Sequence, residues 1–275
     1  MLRLLNLELQ KLLLNKTSKA LIIISFILPF FVILLSSFKI NFFGLFTIEL
    51  GEHGIFNFPI IWHITTFFAA FFKIFFAVVV VSMVSNEYSY KTLKQNLIDG
   101  LSKKEFILSK FYTIAFFSLV STILIFFITL CIGLYYSSID EFSQIFKGTE
   151  FVAAYFVKLV GFFSFCLFLG MLLKRSAFAL AFLFVEFILE WLIFWGVADA
   201  TDDTDIAWKV KSFLPLESMW KLIDQPIQRI VMTVSPEKEN FVYDYAVHWY
   251  EIVIVLVWTA IFIFLSYRLL KKRDL

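Results

Sequence analysis

Residues 152 to 197 read VAAYFVKLVGFFSFCLFLGMLLKRSAFALAFLFVEFILEWLIFWGV. Two apolar runs lie on either side of Lys174, Arg175 and Ser176. A run of about 20 apolar residues crosses the ~30 Å hydrocarbon core of a bilayer as a helix, and a helix satisfies its own backbone hydrogen bonds there. The stretch therefore predicts two antiparallel transmembrane helices, 152–173 and 177–197, joined by a tight polar turn.

Outward from this pair, four more runs meet the same condition, at 20–38, 62–84, 111–136 and 247–267. The whole chain has 275 residues, 61% of them hydrophobic and 17% charged, with 38 phenylalanines. That is more apolar surface than a soluble core of this size buries. The expected fold is an all-α membrane protein with six transmembrane helices, residues 20–275, preceded by an N-terminal segment, 1–19. Both cysteines, Cys131 and Cys166, fall inside apolar runs and read as small buried side chains. Their spacing suggests neither a disulfide framework nor a metal site.

Lys and Arg set the orientation, because positive loops stay on the cytoplasmic side during insertion. Segments 1–19, 85–110, 174–176 and 268–275 hold 15 Lys and Arg in 56 residues, whereas 39–61, 137–151 and 198–246 hold 7 in 87. Both termini are expected to be cytoplasmic, with a long outer loop at 198–246. Trp62, Tyr135, Tyr136, Trp191, Trp195, Trp249 and Tyr250 read as an aromatic belt at the outer boundary. In residues 2–15, Leu2, Leu5, Leu9, Leu12 and Leu13 share one helical face, and Arg3, Asn6, Gln10 and Lys11 another. This predicts an amphipathic helix lying in the cytoplasmic interface.

The sizeable inner loop, 85–110, has internal structure of its own. Leu93, Leu97, Ile98 and Leu101 recur at helical spacing, and Gly100 can end that helix in the left-handed conformation. Ser102 and Glu105 form an S-x-x-E capping box that starts the third span. A short helix, a glycine break and a new helix result.

Within the membrane, Lys73 stands at the middle of the second span and Glu186 at the middle of the fifth, with Glu190 one turn further on. An unpaired charge at such depth costs about 2.5–3.5 kcal/mol or more. Equal depth predicts that Lys73 and Glu186 pair, either as a structural clamp or along a translocation path. Lys158 is expected to snorkel to the outer surface. In the outer loop, Phe213, Leu216, Trp220, Ile223 and Ile227 trace an apolar stripe that predicts surface helices, and the acidic run from Asp199 to Asp205 reads as solvated.

Loop 85–110 resembles the coupling region of the ABC type-2 exporter permeases. There a Glu at the end of the second span precedes a Thr-Leu pair, hydrophobic spacing, a small turn, a Ser-basic pair and a Lys at the start of the third span. Those positions are Glu87, Thr92, Leu93, Leu97, Gly100, Ser102, Lys103 and Lys110. Within the family the likeness is greatest to the short permeases of lantibiotic immunity and bacitracin resistance. Two positions depart from the pattern: Lys91 stands where many members have Gly, and Leu101 where many have Pro.

The resemblance implies a dimerising membrane subunit in the inner membrane of a bacterium. Each copy would dock an ABC ATPase subunit through Glu87, Thr92, Leu93, Lys94, Leu97, Gly100, Ser102 and Lys103. ATP and magnesium would belong to that partner, since this chain has no G-x-x-x-x-G-K-[ST] loop and its nine glycines are scattered. No cofactor, metal or nucleic acid is expected. Two rival readings use Lys73 and Glu186, as an ion-coupled secondary transporter or as an intramembrane enzyme. The histidines His53, His63 and His248 lie in outer loops or at outer span ends and form no H-E-x-x-H motif.

Overall fold

The computed structural model describes residues 2–37, 40–42, 46–48, 54–137, 142–234 and 244–272. In chain order these residues form α1 (Leu2–Leu14), α2 (Lys16–Ser37), β1 (Ile40–Phe42), β2 (Phe46–Ile48), α3 (Ile60–Phe71), α4 (Lys73–Ser89) and α5 (Thr92–Ile98). They continue with α6 (Lys103–Tyr136), α7 (Phe142–Ile145), α8 (Glu150–Leu173), α9 (Ser176–Thr201), α10 (Thr204–Ser212), α11 (Pro215–Lys221), α12 (Ile227–Val234) and α13 (Trp249–Lys271). Among the described residues, α2, α6, α8, α9 and α13 are each long and apolar enough to cross a membrane. α3 and α4, bent by 43° at Phe72, meet the same test only as a pair, as one broken span or a re-entrant turn, which gives five spans or up to six. The expected all-α multi-pass membrane fold is therefore present. One departure is a small antiparallel ribbon, in which β1 pairs with β2 (Ile40 opposite Ile48).

The spans run longer at several ends than the apolar runs alone suggest. α6 begins at Lys103 instead of residue 111, because Ser102 caps it, and α9 continues to Thr201. Asn15 separates α1 from α2. Its side-chain oxygen accepts from the amides of Thr17 (3.0 Å) and Ser18 (3.2 Å), satisfying donors that the first turn of α2 would otherwise leave orphaned.

α8 is the central post, packed against α3, α4, α6, α9 and α13. Small residues permit the close approach: a Cβ added to Gly161 would stand 2.7 Å from Val255 Cγ1 on α13, and one on Gly170 would stand 3.2 Å from Val84 Cβ on α4. In contrast, α9 exposes Phe184, Phe187, Ile188, Leu192 and Trp195. An apolar face of that kind suits a helix bathed in lipid tails.

Two sequence expectations, for Trp62 and Cys131, fail on burial. Trp62 is fully buried, not part of a surface belt, and its indole N–H donates to the Ile145 carbonyl at 2.8 Å. His63 is likewise buried, stacked on Phe151 at 4.4 Å. Cys131 is exposed, and only Cys166 is buried. His53 lies outside the described residues.

Candidate functional site

α5 is short, and its stability depends on its ends. Lys91 precedes it with φ of 57°, in the left-handed region where a side chain is strained and glycine is at ease. The backbone thus accounts for one of the two departures noted in the loop. At the far end Gly100 takes φ of +98°, its amide donates to Leu97 O (3.2 Å), and the Leu101 amide donates to Asn96 O (3.0 Å). Ser102 then starts α6 with the expected box: its Oγ accepts from the Glu105 amide (3.2 Å), and the Glu105 carboxylate accepts from the Ser102 amide (2.9 Å).

Glu87, near the end of α4, joins four helices. One carboxylate oxygen accepts from Lys11 of α1 and Lys110 of α6, each at 3.0 Å. The other accepts from Thr92 Oγ1 (2.6 Å) and Asn96 Nδ2 (3.1 Å) of α5. Lys110 is fully buried and also pairs with Glu8 of α1, which sits 3.4 Å from Lys11. Two carboxylates face two ammonium groups, so the cluster, buried except at Lys11, carries no net charge, the condition under which such burial is tolerated. Burial opposes the charge on Lys11, but Glu8 and Glu87 outweigh it and hold the Lys11 pKa above its usual value.

The structure brings together Glu87, Thr92, Leu93, Leu97 and Lys110 from the sequence pattern. Leu93 is 2% exposed, and Leu97 and Leu101 pack on the same core. Ile98, expected on that stripe, is 69% exposed, and Tyr90 is 74% exposed. With Lys91, Lys94, Gln95 and Asp99 they form the outward face of α5. Lys103 points elsewhere, donating to the Lys271 carbonyl at 3.4 Å. Glu8 and Asn96 were not named from sequence, and Lys11 was read only as part of the polar face of α1. The signal for Glu8 was its place between Leu5 and Leu12, on the apolar face of α1.

The predicted Lys73–Glu186 pair does not form. The Lys73 ammonium lies 4.3 Å from the centre of the Phe162 ring on α8, and among the described residues no carboxylate pairs with it. Glu186 is half-buried on α9. Equal depth was a one-dimensional argument, and it leaves open which way a side chain points around its helix.

Glu190 and Lys158 instead grip α11 at its two ends. The Glu190 carboxylate accepts from the amides of Leu216 (2.7 Å) and Glu217 (3.0 Å) in the first turn. The Lys158 ammonium donates to the Trp220 carbonyl (3.2 Å) in the last. An anion at the N-terminus and a cation at the C-terminus both complement the helix dipole. Lys158 is buried and does not snorkel.

Further links hold the same cap. Lys211 pairs with Glu217 (3.0 Å) and lies over the Trp191 ring at 3.5 Å, and His63 Nε2 is 2.7 Å from the Asp224 carbonyl. The residues that α11 and its flank bury are Met219, Leu222 and Ile223, while Phe213, Trp220 and Ile227 of the expected stripe stay exposed. Within the acidic run, Asp203 caps α10 by accepting from the Asp205 amide at 2.7 Å. Among the described residues no cluster of His, Cys, Asp or Glu could hold a metal ion.

Residues 7–275 match a family described as ABC-2 family transporter protein. A comparison with curated proteins gave no match.

Proposed function

This chain belongs to the ABC-2 transporter family, and from that premise we propose that it is driven by a separate ABC ATPase docked on α5. The observation that carries the reading is the Glu87 cluster. A push on α5 reaches α4 through Thr92 and Asn96, and α1 and α6 through Lys11 and Lys110, by side chains already in contact. The exposed Tyr90, Lys94 and Ile98 supply a mixed apolar and basic surface for the partner. In this reading ATP and magnesium sit on the ATPase, two copies of the permease assemble, and the complex works in a bacterial inner membrane as an exporter of lipid-like or amphipathic peptide cargo.

The rivals, an ion-coupled carrier and an intramembrane enzyme, use Lys73 and Glu186, and the Glu87 cluster gives neither of them support. The test is co-purification with candidate ABC ATPases. A stoichiometric complex that is lost on deleting residues 91–101 supports the proposal. A complex that survives the deletion, or none with any candidate, refutes it.

A further inference from the structure

The bend between α3 and α4 opens a small cleft inside the bundle. Phe72 and Lys73 line it at the bend, Ser25 from α2, Ser121 from α6 and Tyr155 from α8. The Ser121 and Tyr155 hydroxyls are 3.0 Å apart. Lys73 lines this space, and its ammonium lies beside it over the Phe162 ring, with no carboxylate paired to it among the described residues. Lys158 lies one turn before Phe162 on the same face of α8, but its amino group is turned to the Trp220 carbonyl at 3.2 Å. The carboxylates that act on Lys158, Glu217 and Asp224, belong to the α11 side.

A lysine in hydrocarbon with no counter-ion among the described residues is costly, and such residues usually mark a ligand path. The space in this conformation has room for about one water molecule. It therefore admits one oxygen-sized atom, with the remainder of a ligand outside. Phe68, Phe71 and Ile74 around the bend are exposed, which leaves an apolar approach from the bilayer beside the charge.

We propose that the cleft at the α3–α4 bend binds the anionic headgroup of a lipid-like amphiphile, with Lys73 as the charge that holds it and the Ser121 and Tyr155 hydroxyls as neutral partners. The inference rests on the permease reading and names a ligand class for it.

The experiment uses the full chain in phosphatidylcholine vesicles with a trace of spin-labelled phosphatidylglycerol or spin-labelled phosphatidylcholine. The expected result is a several-fold preference for immobilised phosphatidylglycerol that is lost in Lys73→Met and kept in Lys73→Arg. An unchanged preference in Lys73→Met overturns the proposal. Adding excess inorganic phosphate separates the sources: an unaltered preference assigns the site to a headgroup, whereas displacement assigns it to free anions and overturns the amphiphile. Removing an uncompensated charge should raise the melting temperature, so a Lys73→Met chain that unfolds also overturns it. Capture of the ATPase by Lys73→Met, scored in parallel, keeps this outcome distinct from failure of the docking reading.

Discussion

Replacing Glu87 by alanine removes the acceptor shared by α1, α5 and α6. The largest loss is at Lys110, which is fully buried and keeps only Glu8. Breaking a buried ion pair from one side costs about 3–5 kcal/mol, and the remaining carboxylate places the expected value near the lower figure, about 3 kcal/mol. Lys11 adds less than about 1 kcal/mol, because its side chain is 46% exposed and its pairing is screened. Against a typical native stability of about 5–15 kcal/mol, that is a large fraction. Denaturation followed by tryptophan fluorescence in detergent measures the loss, and capture of the ATPase reports on α5, which gives up its Thr92 and Asn96 attachments. The double variant Glu87→Ala/Lys110→Met should regain most of the stability, since the burden on the single variant is an under-compensated ammonium. A single variant within about 0.5 kcal/mol of the parent, or a double variant no better than the single, would show that the cluster does not hold these helices together.

Lys91→Gly should stabilise the chain by about 0.5–1 kcal/mol, because φ of 57° strains the lysine; thermal melting checks the sign. Glu190→Ala leaves the Leu216 and Glu217 amides without their acceptor, at about 1–3 kcal/mol. Hydrogen exchange should rise selectively over residues 215–221, and uniform protection there would count against the end-capping role. Because the folded-state pKa of Lys11 is raised, its stabilisation is complete below pH 10.5 and fades as pH climbs through the higher folded value. Lys11→Met should flatten that alkaline decline in the melting temperature.

What could be read from the sequence divides by dimension. Hydrophobic length alone placed the spans, and local chemistry placed the ends: the Ser102–Glu105 box and the Gly100 turn both stand where spacing put them. Direction around a helix axis was harder. Lys73 and Glu186 were matched on depth alone and do not pair, and Lys158 was sent to the surface because its partner is a backbone carbonyl, invisible in a search for opposite charges. Glu190 was found, but its role was not, since it binds two amides 26 and 27 positions away. The bend at Phe72 has no proline or glycine to announce it. In loop 85–110 the pattern gave Glu87, Thr92 and Lys110, while the α1 half of the cluster was hidden in a helix read only as amphipathic.

α6 has 34 residues, and at 1.5 Å per residue it is about 51 Å long, against a hydrocarbon core of about 30 Å. Roughly 20 Å of the rod therefore stands outside the apolar slab, and its base carries both the capping box and Lys110. A rod pivoting as one piece converts angle into displacement: a tilt of about 5° about its base sweeps the far end, at Tyr136, through roughly 4 Å. Wedging at the foot would thus be felt on the other side of the bilayer with no helix having to melt or slide.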